Sequence, residues 1–468
     1  MIRAPLPLSR GLLPLAFVLA LSPLAALAES TFPAPVDFAG RFRVSGAEPG
    51  RPVLPGGQVR LTGSGLVPGQ AATFQRGLTV LNDGAPAADA DGNLNFTFTL
   101  PADAAVGLHP VAVFLDTPSS TVLVDVKVSP DIPVTNTDAF AVQSVKPAPG
   151  LYQSAYSAQA GALFVTSASF RPAGSKLLKL DPETLAVLAE ITPPDLPEDQ
   201  RAPGQEGPQP VGVFGVAVDD VKGTVWVTNT FHNTVAVYRQ DDLSLVRQFA
   251  PGTVYHARDV IVDGARGRAY ASASATDGVH VFDTATLEKV GVIQIASARR
   301  GGEFSVMSLA LDAAGGRLFA VSRISNELAV IDLATDTVAQ VIDLPGAKNA
   351  SGVTFDAASG RVLVAAQDSD NLLVVDLDSG KVVQDVPVGA GALNVAHEPV
   401  TGLAYVSNRG AGTVTVVSPE GAVVAVLDGG SYPNHVHADG RGNVYAVNKA
   451  LGPDDAQGDH VRLIRRKD

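Results

Sequence analysis

From residue 139 onward the chain is a succession of short apolar runs, each opened by a glycine and closed by a small or polar residue. The clearest is GTVWVTN, beginning at Gly223. Related runs begin at Gly161 (GALFVTS), Gly267 (GRAYASA), Gly316 (GRLFAVS), Gly360 (GRVLVAA), Gly402 (GLAYVSN) and Gly442 (GNVYAVN). Their successive spacings are 62, 44, 49, 44, 42 and 40 residues. An apolar strand precedes each glycine, as in VGVFGVAVD, and an Asp/Gly turn joins the two. A third strand (TVAVY, ELAVID, LLVVDL) and a fourth (SLVRQF, VAQVID, VVQDVPV) follow. Four strands per unit at this period predict seven propeller blades. The runs are apolar on both strand faces, as expected for blades buried between two neighbours.

The seventh unit ends after its third strand, HVRLIRR (460–466), and the segment AFAVQSVKP (139–147) precedes the first. We expect the early segment to supply the missing outer strand and so close the ring, because an open ring exposes strand edges. Four residues before the repeat glycine stand Asp219, Asp263, Asp312, Asp356 and Glu398. This carboxylate series reads as turn chemistry, each acid accepting backbone N–H groups, and not as catalysis.

Residues 31–130 read as a separate small β domain. Alternating strands are predicted around Val59 and Leu61, over Leu94–Leu100, from His109, and over STVLVDVKV, with SPDIPVTNTD (129–138) as the linker. Short strands at this spacing predict a sandwich. Asp89 and Asp91 fit a turn better than a calcium site. The fold class is therefore all-β: a small sandwich followed by a seven-bladed propeller over 139–468.

The turn Gly63-Ser64-Gly65-Leu66-Val67-Pro68-Gly69 resembles the G-x-G-x-x-P-G turn of bacterial immunoglobulin-like modules. WVTN and YVSN resemble the motif of the YVTN-repeat seven-bladed propellers, of which the exported single-ring form is YncE-like; YASA, FAVS and LVAA are degenerate versions. That resemblance implies the fold. It leaves function open, because such propellers serve as binding platforms, redox-enzyme subunits and surface modules. The additional N-terminal sandwich departs from the single-ring form.

Composition adds location and charge. Arg3 and Arg10 precede an apolar stretch from Gly11 to Leu21, and Ala26-Leu27-Ala28 supplies small residues before Glu29. This predicts a signal peptide over 1–28 and export, most simply to a periplasm, with no membrane insertion of the mature chain. The absence of cysteine excludes disulfides and thiolate metal sites. The formal charge of −13 opposes broad binding to nucleic acid or anionic membrane.

Against that acidity, the loops expected on one propeller face carry cations. Arg323, Arg409 and Lys449 lie seven residues after their repeat glycines, with Arg171 and His232 slightly further along equivalent loops. Loops entering the inner strands add His256, Arg258, Arg299, Arg300 and His435. Eight residues before the glycine stand Gln153, Asp259, Ser308, Asn394 and Asn434, with glycine in the other two units. We expect a polar ring beneath a cationic rim. The ligand-contacting set is Arg171, His232, His256, Arg258, Arg323, Asn394, Arg409, Asn434, His435 and Lys449. Guanidinium groups at a concave mouth select carboxylate or phosphate. The aromatics Tyr152, Phe170, Phe214, Phe231, Tyr255, Phe304 and Tyr432 either stack on a ligand or plug the blade tops.

The sequence contains no nucleophile elbow, phosphate-binding glycine loop, zinc-protease motif or haem-attachment motif. The leading expectation is an exported, non-enzymatic binding protein whose funnel takes an anionic small molecule or a peptide segment of a protein partner, without cofactor or metal. Three alternatives stay open. One is a lactonase-type hydrolase using His256 with Arg258, or His435 with Asp259. The others are a partner-binding subunit of a periplasmic redox complex and a binder of single-stranded nucleic acid.

Overall fold

The computed structural model describes residues 38–48, 50–170, 173–195 and 210–467. The expected signal peptide, Arg171 and most of the long loop after the first blade lie outside these residues. Seven four-stranded antiparallel sheets are arranged as the repeat predicts. Their first strands are Leu151–Ser157, Val216–Asp219, Ala257–Asp263, Val306–Asp312, Ala350–Asp356, Ala392–Glu398 and Pro433–Ala438. Together they wall an axial channel of about 340 Å³.

The ring closes as expected. Strand Phe140–Val145 pairs antiparallel with Val461–Arg466, in register from Phe140–Arg466 to Val145–Val461, and becomes the outer strand of blade seven. Phe140 is buried and meets Tyr405 of blade six edge-on, with ring centroids 6.4 Å apart.

The strand Thr224–Asn229 shows why the repeat is apolar on both faces. Val225 and Val227 pack with Ala155, Phe164 and Leu177 of blade one. Trp226, between them, points the other way into blade three, 5.7 Å from the Phe282 ring, with Phe249 completing the cluster. Successive side chains alternate across a strand, so a blade between two blades needs apolar residues at every position.

The acidic turn series takes the predicted role. Asp219 accepts N–H groups from Val221 and Lys222, Asp263 from Arg266, Asp312 from Gly315, Asp356 from Ala358 and Ser359, and Glu398 from Thr401. Asp89 likewise accepts from Asp91 and Asn93 within its turn.

Residues 41–128 form two packed sheets. One holds Arg41–Gly46, Gln58–Ser64 and Leu94–Thr99; the other holds Thr79–Val80, Ala72–Arg76, Gly107–Leu115 and Ser120–Val128. Their shared core includes Val59, Leu61, Phe74, Val111 and Val113, with Phe74 stacked on Phe96 at 4.5 Å. The strands Arg41–Gly46, Ala72–Arg76 and Thr79–Val80 are additions to the strands expected there.

This sandwich rests on the face of the propeller that carries the funnel. The Lys127 ammonium lies 2.6 Å from a carboxylate oxygen of Asp370 in a blade-five loop and donates to the Gln367 carbonyl at 2.7 Å. Thr135 of the linker exchanges both backbone hydrogen bonds with Val426 on the outer strand of blade six. At Gly50, an added Cβ would stand 2.8 Å from Leu451 and 3.2 Å from the Tyr432 hydroxyl, so the two domains touch there through glycine.

Candidate ligand site at the funnel mouth

The polar ring sits where each first strand begins. Register shifts fall at Ala257/Val260, Val306/Leu309, Ala350/Gly352, Ala392/Asn394 and Pro433/His435. A bulged residue leaves its own ladder and can aim its side chain elsewhere. Here the aim is the next blade. Gln153 accepts the Val216 N–H, Asp259 the Leu309 N–H and Asn394 the Val436 N–H. Nδ1 of His435 accepts the Ser154 N–H, across the closing seam. The two glycines in the ring do the same task by contact: a Cβ on Gly215 would meet the Arg258 carbonyl at 2.7 Å, and one on Gly352 would meet Asn394 Cα at 2.6 Å. Sequence reasoning sees a polar ring and assigns it to a ligand. The observed hydrogen bonds stitch blade to blade.

Two members of the ring have a second task. Asn434 donates through Nδ2 to the Tyr152 carbonyl at 2.6 Å and accepts through Oδ1 from Arg409 at 2.8 Å. It therefore holds an arginine at the mouth. Asp259 also accepts from the Val260 N–H and the Gln153 amide. Burial raises its carboxyl above the usual carboxylate range, against the lowering pull of Arg258 and these hydrogen bonds.

Above the ring the cations converge on two tyrosines. The Arg258 guanidinium lies 4.9 Å from the Tyr152 ring centroid, and the Lys449 ammonium lies 4.3 Å from the same centroid. Arg409 lies 4.8 Å from the Tyr432 centroid. Such contacts stabilise a cation without neutralising it. Arg258 is buried to 7 % exposure, yet its Nη1 has no hydrogen-bond partner. Among the described residues, none of Arg258, Arg323, Arg409 and Lys449 forms a salt bridge. Burial, with Arg409 and Arg258 close by, pulls the Lys449 ammonium down to about 7. Burial likewise lowers the affinity of Arg409 for its proton, with Arg258 adding to the effect. Like charges held together this way are the arrangement an anion relieves.

His256 stands beside this group. Burial lowers its pKa, and the charges of Arg323 and Arg258 lower it further. Its backbone is left-handed, at φ 50°, and so is that of Tyr432, at φ 44°. Both residues directly precede a first strand, a position filled by Gly150, Asn349 and Gly391 in three other blades. Histidine and tyrosine there carry about 1–2 kcal/mol of backbone strain each that glycine or asparagine avoids. The strain is thus retained at equivalent positions of blades three and seven.

The remaining expected residues are placed as follows. Arg323 is exposed at the rim, near enough to His256 to be felt there. His232 is half-buried, its Nδ1 without a partner, and no observed contact ties it to the cluster. His435 lines the channel; burial first, then His437 and Arg258, push its imidazole well below the usual range. Its Nδ1 is taken by the Ser154 N–H and no hydrogen bond joins it to Asp259. Arg299 is drawn away into an ion pair with Asp343. Phe304 is buried in the core between blades three and four, a plug. Among the described residues, no three His, Asp or Glu side chains are grouped to hold a metal ion.

What sequence reasoning missed is where the sandwich docks. A cavity of about 380 Å³ lies between the domains, lined by Arg51 and Lys127 on one side and Arg409, Tyr432 and Asp368 on the other. No local signal in residues 41–128 announces this contact, since it depends on how the two domains dock.

No protein-family model and no curated protein matches the chain. Solved structures do resemble it. Hydrazine synthase from Kuenenia stuttgartiensis aligns with a TM-score of 0.53 at 16 % identity, covering 64 % of this chain and 93 % of that one. A catalytically inactive virginiamycin B lyase from Staphylococcus aureus, with quinupristin, aligns at 0.54 and 11 % identity over 70 % and 99 % of the two chains. The Myceliophteria thermophila Cps50 (Swd1) propeller domain aligns at 0.52 and 11 % identity over 69 % and 99 %. At these identities the likeness establishes one thing, that this chain contains a β-propeller.

Proposed function

We propose that this chain is an exported, non-enzymatic binding protein of the YVTN-repeat, YncE-like type, whose propeller funnel holds an anionic small molecule or the acidic portion of a partner peptide. One observation carries the reading. Arg258, Arg409 and Lys449 gather at Tyr152 and Tyr432 with no acidic side chain paired to them among the described residues, in a protein of net charge −13. Concentrating uncompensated positive charge is unfavourable unless a ligand balances it. The docked sandwich, immunoglobulin-like in its turn motif, borders the mouth with Arg51 and with Lys127, whose ammonium is taken by Asp370. The predicted signal peptide supports a periplasmic location.

The test is a panel of small carboxylates and phosphates, scored by thermal shift and then by isothermal titration calorimetry. At least one anion is expected to bind the native chain. Replacing Arg258 and Arg409 together by Gln should weaken that anion by roughly a hundredfold, two charge-assisted contacts at about 1.5 kcal/mol each. Equal affinity in the double variant overturns the site.

A further inference from the structure

The anion site contains one group that simple charge recognition does not require in its present form. Lys449 directly follows the strand Asn443–Asn448, and its backbone N–H donates to the Tyr432 carbonyl. Its side chain is half-buried over the Tyr152 ring, with no hydrogen-bond acceptor and no carboxylate pair among the described residues. Two arginines flank it, each fixed independently: Arg409 by Asn434 and the Tyr432 ring, Arg258 by the Tyr152 ring. A lysine that served only as a charge would be better placed with an acceptor. An amine pressed between guanidinium groups and an aromatic face is disposed to shed its proton and act as a nucleophile.

The geometry points to Lys449 as a carbonyl-capturing lysine: it condenses reversibly with a 2-oxo acid whose carboxylate is held by Arg258 and Arg409. This rests on the anion site proposed above and names the ligand class for it. In a 2-oxo acid the carbonyl carbon is bonded directly to the carboxylate. A carboxylate gripped between the two arginines therefore presents its carbonyl to a neighbouring amine. The amine nitrogen adds to the carbonyl carbon, and the carbonyl oxygen takes one of its hydrogens to give a carbinolamine. The carbon–oxygen bond then breaks, the oxygen leaves as water with the second hydrogen, and a carbon–nitrogen double bond remains. No oxidant or reductant enters. The lowering of the Lys449 ammonium to about 7 leaves a large share of free amine near neutral pH.

The full chain is incubated with pyruvate and sodium cyanoborohydride, digested, and mapped by mass spectrometry. The expected result is a reduced pyruvate adduct on Lys449, at least about tenfold above the exposed Lys381 and Lys467. Lys449→Arg, which keeps the charge, should lose that adduct, and oxalate, an anion without an electrophilic ketone, reports the anion site of the native chain separately. A thermal melt confirms that this variant is folded, and Lys449→Met provides a second check. An even distribution of adducts over the lysines, or an undiminished adduct yield in Lys449→Arg, overturns the assignment. If oxalate binds the native chain and pyruvate leaves no adduct, the carbonyl chemistry is wrong and the anion site stands. If oxalate fails to bind and no adduct forms, both readings fall.

Discussion

The Lys449 ammonium lies 4.3 Å from the centre of the Tyr152 ring, although 297 residues of sequence and the closure of the whole ring separate the two. Tyr152 belongs to blade one and Lys449 to blade seven. Their contact exists because Phe140–Val145 completes blade seven and seats it against blade one.

That dependence makes the closing strand a test of both fold and site. Deleting residues 139–147 removes the outer strand of blade seven and the Phe140 contact with Tyr405. Cooperative unfolding of the propeller should be lost in a urea titration. The milder Phe140→Ala should lower stability by about 3 kcal/mol and keep a single transition. An unchanged midpoint in both would show that the ring does not need this strand.

Anion affinity should depend on pH through Lys449. Its folded value of about 7 lies below the 10.5 of a free lysine, so the ammonium form dominates only at the acid side of neutrality. Asp459 acts in the opposite sense on Lys449. Binding of a simple anion such as oxalate should therefore weaken as pH rises from 6 to 8, whereas the rate of pyruvate trapping should increase. The same depression makes unfolding stability rise with pH between about 7 and 10.5 through this group. Calorimetry in Lys449→Met should remove the fall in oxalate affinity between pH 6 and 8.

Acid should loosen the closing seam. His437 accepts the Tyr156 N–H through Nε2, so it must stay neutral to make this bond between blades seven and one. Burial lowers its pKa to about 4, with Asp439 opposing. Because the unfolded chain takes up this proton nearer 6.5, stability should fall as pH drops from about 6.5 to 4. In His437→Gln, whose amide oxygen can accept the same N–H, urea midpoints should show a shallower acid slope.

The left-handed mouth residues predict a trade between stability and binding. His256→Asn places at φ 50° a residue that tolerates it, as Asn349 does at the equivalent position of blade five. The variant should be as stable as the native chain or more so, by up to about 1 kcal/mol, and should bind anions more weakly. A loss of stability without a change in binding would show that His256 serves the fold alone.

Docking of the sandwich hinges on one ion pair. Asp370 is almost wholly buried, and it receives both Lys127 and the Gly391 N–H. Lys127→Met leaves that carboxylate without its cation, which should cost about 3 kcal/mol of interdomain stability. Limited proteolysis at the 129–138 linker should then accelerate severalfold. An unaltered cleavage rate would show that the linker contacts at Thr135 suffice.

The blade repeat was legible in the sequence because it is a local pattern. Trp226 between Val225 and Val227, or Asp312 four residues before Gly316, states its environment within one turn or strand. The unpaired segment at 139–147 was legible too, by what the seventh unit lacked. The cations at the mouth could be grouped by repeat position, since seven blades put equivalent positions on one face. Their pairing could not. That Arg299 is lost to Asp343 while Arg258 keeps a bare Nη1 depends on side chains brought together from different blades. The blade-to-blade bonds of the polar ring were hidden for the same reason: Asn394 and Gln153 accept backbone N–H groups of the next blade, partners that no local pattern names. The sequence by itself determined the seven-bladed ring and the face on which its cations stand, because both follow from a periodic hydrophobic pattern. The tertiary structure alone decided which of those cations remain unneutralised and which domain leans over them, because charge balance and docking are set by distances between residues far apart in the chain.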